Sequence, residues 1–269
     1  MAVLDFGDSN LGRLTAEEFS LNLKRETGLI VLDRDQARTA ARGAGYAGSI
    51  NLSLSEARDL GAALGCDFFV LGDAQTLRRS PSAGPGYFES YSSIFLVSAR
   101  TGRLVGWERP SFRAATAAAA EQSLLSELGS SNARQRSVLS IHRAQEIERV
   151  ERALTIDLDR QVPVIEEAPD DAKLAESEGL RLPKPYRRLV PRYPESAALA
   201  EAEAIVDVLI DVDSHGEVTR VEVARWAGFG LDETTIDTVR QLHFFPAMRN
   251  GVAVPLRVLL RYNFRKPPR

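Results

Sequence analysis

From residue 252 to residue 264 apolar side chains recur at every second position: Val252, Val254, Leu256, Val258, Leu260, Tyr262 and Phe264. Arg257, Arg261 and Arg265 occupy alternate positions between and after them. A period of two is the side-chain period of a strand, and a helix would scatter these residues around its axis. One face must therefore be buried while the other meets water, as in an antiparallel sheet covered on one side. Within the run sits Pro255, which has no N–H to offer a ladder. Prolines in sheets are confined to edges, strand starts and bulges. The pattern predicts an edge strand.

The segment before it shares this grammar. "AIVDVLIDVD" places Val206, Val208, Ile210 and Val212 on one face, and "GEVTRVEVARW" follows the turn Asp213-Ser214-His215-Gly216. Asp232 is placed to cap a helix running to about Leu242, with Leu231 and Ile236 as its hydrophobic staple. Residues 191–269 thus read as a small β-β-α-β domain.

Residues 1–158 alternate between strand and helix signals, which predicts a mixed-sheet α/β domain. "AVLDF" and "GLIVLDR" read as buried strands. Thr15-Ala16-Glu17-Glu18 and Ser53 with Glu56 have capping-box spacing. "CDFFVLGDAQTL", "YSSIFLVSA" and "RLVGWER" are β-rich, the last two joined by a turn at Arg100-Thr101-Gly102. Ala- and Leu-rich helical sequence runs from about 114 to 158, with a break at residues 129–132. Between the two patterned regions, residues 159–190 lose periodicity and gather acidic residues and prolines, the composition of a linker. The fold class expected is α/β followed by a small α+β domain.

Composition narrows the function classes. The 269 residues carry a net charge of -3 and are 44% hydrophobic and 26% charged, values of a globular chain without the basic excess of a nucleic-acid binder. One cysteine, Cys66, excludes an internal disulfide. No apolar run approaches the roughly 18 residues of a membrane span. The glycines 43, 45 and 48 match a dinucleotide fingerprint, but they follow a helix instead of a strand, so they read as a helix-to-helix loop. None of His142, His215 and His243 has a partner at metal-ligand spacing, with His215 expected in an exposed turn and His243 half-buried. Asp211 and Asp213 read as solvated residues at a strand end. No catalytic group, metal or cofactor is indicated.

Residues 191–264 resemble the C-terminal domain of TonB-family energy transducers. Tyr193-Pro194 with Ala197, "VDVLIDVDSHGEV", "GFGLDETTIDTVRQLHFFPA" and "NGVAVPLRV" carry the likeness. Ala204 stands where that family often has glycine, His243 departs from a frequent tryptophan-arginine pairing, and Val190 replaces a glutamine of the best-known members. Peptide specificity stays open as a result. The front domain resembles the envelope-lipoprotein domains of the CsgG and TolB N-terminal type, through "AVLDF", "GLIVLDRDQ", "ARDLGAALGCDFFVLGDA" and "LVSARTGRLVGWE".

These resemblances imply a periplasmic, non-enzymatic protein of the cell envelope. It would bind an extended peptide of an outer-membrane TonB-dependent transporter by strand addition. Energy transduction would need an anchor upstream of Met1 and, through it, inner-membrane motor proteins. The alternative is an envelope scaffold whose TonB-like domain serves docking or homodimerisation. The candidate partner-binding residues are Leu256, Arg257, Val258, Leu259, Leu260, Arg261 and Tyr262 on the edge strand, with Val190, Tyr193 and Pro194 from the motif before it. The arginines are expected to attract an acidic peptide. The same arginines and Pro255 would also serve simple protection of an edge against aggregation.

Overall fold

A computed structural model of the chain describes residues 1–82, 84–158, 165–169, 172–177 and 179–266. They divide into two compact units, Met1–Leu154 and Thr155–Arg269.

The first unit contains β1 (Ala2–Val3), α1 (Asn10–Leu23), α2 (Arg34–Gly43), α3 (Leu54–Leu64), β2 (Phe68–Arg79), β3 (Tyr87–Ser98), β4 (Leu104–Glu108), β5 (Ser111–Ala114), α4 (Ala117–Leu128) and most of α5 (Ser131–Leu158). Its sheet has the order β1-β2-β3-β4, with β5 pairing alongside β3. Only the β1–β2 pair is parallel; the β2–β3 hairpin and the strands after it are antiparallel. This is the mixed α/β sheet expected. Phe68, Val70, Ala74, Ile94 and Leu96 share one face and form a core with Phe19, Leu23, Leu124, Leu128 and Ile141. On α3, Gly61 packs so closely that an added Cβ would lie 2.4 Å from that of Ala99.

Two local expectations are corrected. "GLIVLDR" forms no strand: it makes one bond each way with Met1, just before β1, from the Met1 amino group to the Ile30 carbonyl and from the Leu32 N–H to the Met1 carbonyl, and Ile30 stays 79% exposed. The first helix begins at Ser9, whose hydroxyl accepts the Gly12 N–H, and Thr15 lies within it, bonded to the Leu11 and Gly12 carbonyls. Ser9 is itself a good cap residue, so the earlier start satisfies the same orphan donors. Ser53 and Glu56 do form a capping box on α3. Gly43 ends α2, and Gly45 and Gly48 lie in the loop after it with φ of 78° and 88°.

The second unit contains α6 (Ala172–Ser177), β6 (Leu180–Arg181), β7 (Lys184–Pro185), α7 (Glu195–Ala200), β8 (Ala204–Val212), β9 (Val218–Arg225), α8 (Leu231–Val239), β10 (Phe244–Phe245), β11 (Ala247–Arg249), β12 (Val252–Val254) and β13 (Leu256–Phe264). The main sheet is antiparallel with the order β13-β8-β9; two small sheets, β12-β11-β6 and β10-β7, flank it. Val206, Val208, Ile210 and Val212 are buried with Leu231 and Val239 of α8 and with Trp226 and Phe244.

Of the linker expected over 159–190, residues 159–164, 170–171 and 178 lie outside the described residues. The described remainder is folded into this unit. β6 pairs with β11 and β7 with β10, and Ala175 and Leu180 pack against Ala247 and Leu256. Acidic and proline-rich composition therefore concealed two short strands and a helical turn that find partners far along the chain. Pro255 is also corrected. It stands between β12, which pairs with β11, and β13, which pairs with β8, so it marks a switch of sheet and interrupts neither strand. At that corner no ladder N–H is needed.

Candidate partner-binding edge

β13 pairs along its whole length with β8, from Leu256 opposite Val212 to Phe264 opposite Ala204. It is the end strand of the sheet. Main-chain groups along an antiparallel strand point alternately to one neighbour and then the other. Arg257 sets the phase: its N–H donates to the Glu166 carbonyl at 2.8 Å and its carbonyl accepts the Ala168 N–H at 2.7 Å, on the side away from β8. Leu259, Arg261 and Asn263 consequently aim their main-chain groups outward as well. Val258, Leu260 and Tyr262 direct theirs at β8. Among the described residues, residues 166–168 alone bond to this outer side, at Arg257.

The side chains of both arginines bond within the sheet. Arg257 stands directly opposite Asp211, and Arg261 opposite Asp207. Each guanidinium makes a two-pronged bond to its carboxylate, at 2.6 and 2.9 Å for Arg257 and 2.7 and 2.9 Å for Arg261. Both carboxylates are only 6% exposed. Arg225 of β9 lies 3.5 Å from Asp207 as a second cation. The facing carboxylates hold the Arg257 and Arg261 guanidiniums above their usual pKa. Both guanidiniums are thus engaged within the sheet, Arg257 one-to-one with Asp211 and Arg261 on a carboxylate that Arg225 also approaches. Asp211 is correspondingly no solvated strand end. Asp213 is the turn residue, accepting the Glu217 and His215 N–H groups, and these hold its carboxyl below the usual range.

Along the far half of β13 runs an open groove of about 450 Å³. Leu260, Arg261, Tyr262 and Asn263 line it together with Pro185, Arg187, Arg188, Leu189, Val190, Leu242 and Phe244. Val190, 82% exposed, is brought to this rim. Tyr193 and Pro194 are not. The Tyr193 hydroxyl lies 2.7 Å from the Ala202 carbonyl and its ring packs near Phe264, which ties α7 to the end of β13. Pro194 stands at the N-terminal cap position of α7 without a side-chain cap bond, and packs near Gly230. Leu256 is fully buried, and Leu259 is on the arginine face, opposite Leu209.

Two further expectations change. α8 is preceded by Gly230 in the left-handed region, and Asp232 caps nothing in its own helix. Its carboxylate instead accepts the Ala227 and Gly228 N–H groups, both at 2.8 Å, and burial pushes its carboxyl up to about 6. His243 is exposed, its Nδ1 2.9 Å from Glu217, where half-burial was expected.

The sequence held a signal for the ion pairs that was missed. Asp207 and Asp211 are four residues apart on one strand, Arg257 and Arg261 four apart on the strand paired with it, all on the polar face. The segment at 166–168 carried no signal, because three residues have no period.

Residues 190–265 match the family model described as Gram-negative bacterial TonB protein C-terminal. No curated protein matches the chain. Among solved structures, the Pseudomonas aeruginosa TonB C-terminal domain is 24% identical over 32% of this chain and 89% of its own, with a TM-score of 0.28. The hypothetical protein CT253 from Chlamydia trachomatis is 12% identical over 47% of this chain and 91% of its own, at 0.33. A provisionally assigned lipoprotein from Caulobacter crescentus CB15 is 14% identical over 54% of this chain and 90% of its own, at 0.27. The family match and the sheet of β8, β9 and β13 agree: residues 190–265 are a TonB-like C-terminal domain.

Proposed function

We propose that this chain is a binding protein of the Gram-negative envelope. In this reading it takes an extended peptide of an outer-membrane transporter as an added strand along the outer side of β13, and it performs no catalysis. The observation that carries the reading is the outward set of main-chain groups at Leu259, Arg261 and Asn263, beside a groove of mixed apolar and basic lining, in a TonB-like domain. Strand addition draws affinity from such main-chain groups and specificity from neighbouring pockets. Leu260 and Tyr262 would line the pocket that reads alternate side chains, with Val190 at its rim. Arg257 and Arg261 serve the sheet that presents the edge.

The test is a titration of the full chain with synthetic peptides copied from extended segments of outer-membrane transporters of the same organism. Leu259→Pro removes one outward donor and should abolish binding while the chain stays folded. Val258→Pro removes a donor aimed at β8 and should instead unfold the domain. Peptide binding that survives Leu259→Pro in a folded chain excludes the edge as the site. A concentration-dependent dimer that Leu259→Pro dissolves, without peptide binding, would favour a scaffold role.

A further inference from the structure

The Arg257 end of the edge is already occupied by the chain's own residues 166–168. Glu166 and Ala168 make the two main-chain bonds to Arg257 that an added strand would make, and Glu167 stands opposite Arg257 in a parallel bridge. Side chains reinforce the contact on both sides. The Glu166 carboxylate accepts a bond from Arg249 at 2.7 Å, and Ala168 packs against the cluster of Leu180, Ala247 and Leu256. Pro169 follows directly; in this register residues 166 and 168 face β13 and residue 169 faces away, so its missing N–H costs the pairing nothing. Pro169 biases Ala168 toward extended backbone. The contact is short, and its ion pair is open to water: the Glu166 side chain is 52% exposed and that of Arg249 37%. Such a pair is weak and readily exchanged.

Resting on the edge as the binding site, we propose that residues 166–168 are an internal surrogate of the partner strand. The partner that displaces them carries an acidic residue within reach of Arg249, followed two positions later by a small apolar residue. At the Arg257 end, the selectivity for an acidic residue thus resides in Arg249 of β11, because Arg257 is committed to Asp211, while Arg187 and Arg188 line the groove farther along β13. A peptide without the acid would still find Leu259, Arg261 and Asn263 but would compete poorly for the Arg257 end.

The experiment uses the full chain and a fluorescein-labelled, capped peptide copying residues 165–169, Ile-Glu-Glu-Ala-Pro, read by anisotropy. Glu166→Lys in the chain sets two cations against each other and should release the segment; Glu166 is half exposed, so the fold should persist. Ala168→Pro removes the donor to the Arg257 carbonyl. Each variant should bind the peptide about tenfold more tightly than the unaltered chain, since the internal competitor is lost. Adding Arg249→Glu to Ala168→Pro should reverse that gain. Equal peptide affinity in the unaltered and released chains overturns the surrogate and leaves the edge reading standing. Failure of the peptide to bind any of these chains, while transporter peptides still bind and Leu259→Pro still abolishes that binding, also overturns the surrogate alone. Loss of the Leu259→Pro effect sinks the edge itself.

Discussion

Arg257 and Arg261 look equivalent in sequence, yet the structure makes them unequal, and truncating each to alanine should separate them. Arg257→Ala leaves Asp211 buried with no other ion-pair partner among the described residues. Breaking a buried pair at one end costs about 3–5 kcal/mol. The Arg257 side chain is 24% exposed, which lets water reach the vacated site and puts the loss near the lower bound, about 3 kcal/mol. Arg261→Ala removes a side chain that is 54% exposed, and Asp207 keeps Arg225 at 3.5 Å. That loss should be about 1 kcal/mol, the value for a largely solvated pair. Urea unfolding followed by the fluorescence of Trp226, buried in the second unit, reads the difference once Trp107 in the first is replaced by phenylalanine. With a denaturant slope of about 1.5 kcal/mol/M, the midpoint should fall by about 2 M for Arg257→Ala and by under about 1 M for Arg261→Ala. Adding Asp211→Ala to Arg257→Ala should restore much of the loss, because no carboxylate is then left buried without its partner. Equal shifts for the two arginines, or no recovery in the double variant, would refute the argument that an unpaired buried carboxylate sets the cost.

Two further outcomes are expected. The folded chain raises the Asp232 carboxyl to about 6, against roughly 3.9 when unfolded, so the native state favours its protonated form. Stability from this group is full below pH 4 and declines as pH rises through about 6, by roughly 2–3 kcal/mol in all; Asp232→Asn should flatten that decline in urea titrations at pH 4 to 7. At Gly216, φ is 89° and an added Cβ would lie 1.8 Å from the Phe244 carbonyl oxygen, whereas at Gly251, with φ of 85°, it would meet nothing within 4 Å. Gly216→Ala should cost at least about 3 kcal/mol and Gly251→Ala about 1 kcal/mol, measured by the same unfolding assay.

The sequence by itself determined whatever depends on period and short-range chemistry. Alternation at Val206, Val208, Ile210 and Val212 specified a strand with one buried face. The same rule specified Leu256, Val258 and Leu260, and Ser53 with Glu56 fixed the start of a helix. Such signals need only the neighbouring residues, so they survive without knowledge of the fold. Tertiary structure decided what depends on partners distant in the chain. Pro255 is compatible with an edge, a bulge or a strand switch, and only the pairing of β12 with β11 and β13 with β8 chose the switch. "GLIVLDR" has the apolar content of a buried strand, but its pairing beside β1 is limited to the two bonds with Met1. Arg257 could have met solvent or a partner until register set it opposite Asp211, where a buried carboxylate is stable only with its cation. Residues 166–168 belong to the edge of β13 for the same reason: an added strand is held by main-chain bonds, which every residue but proline can make and which leave no mark in the sequence.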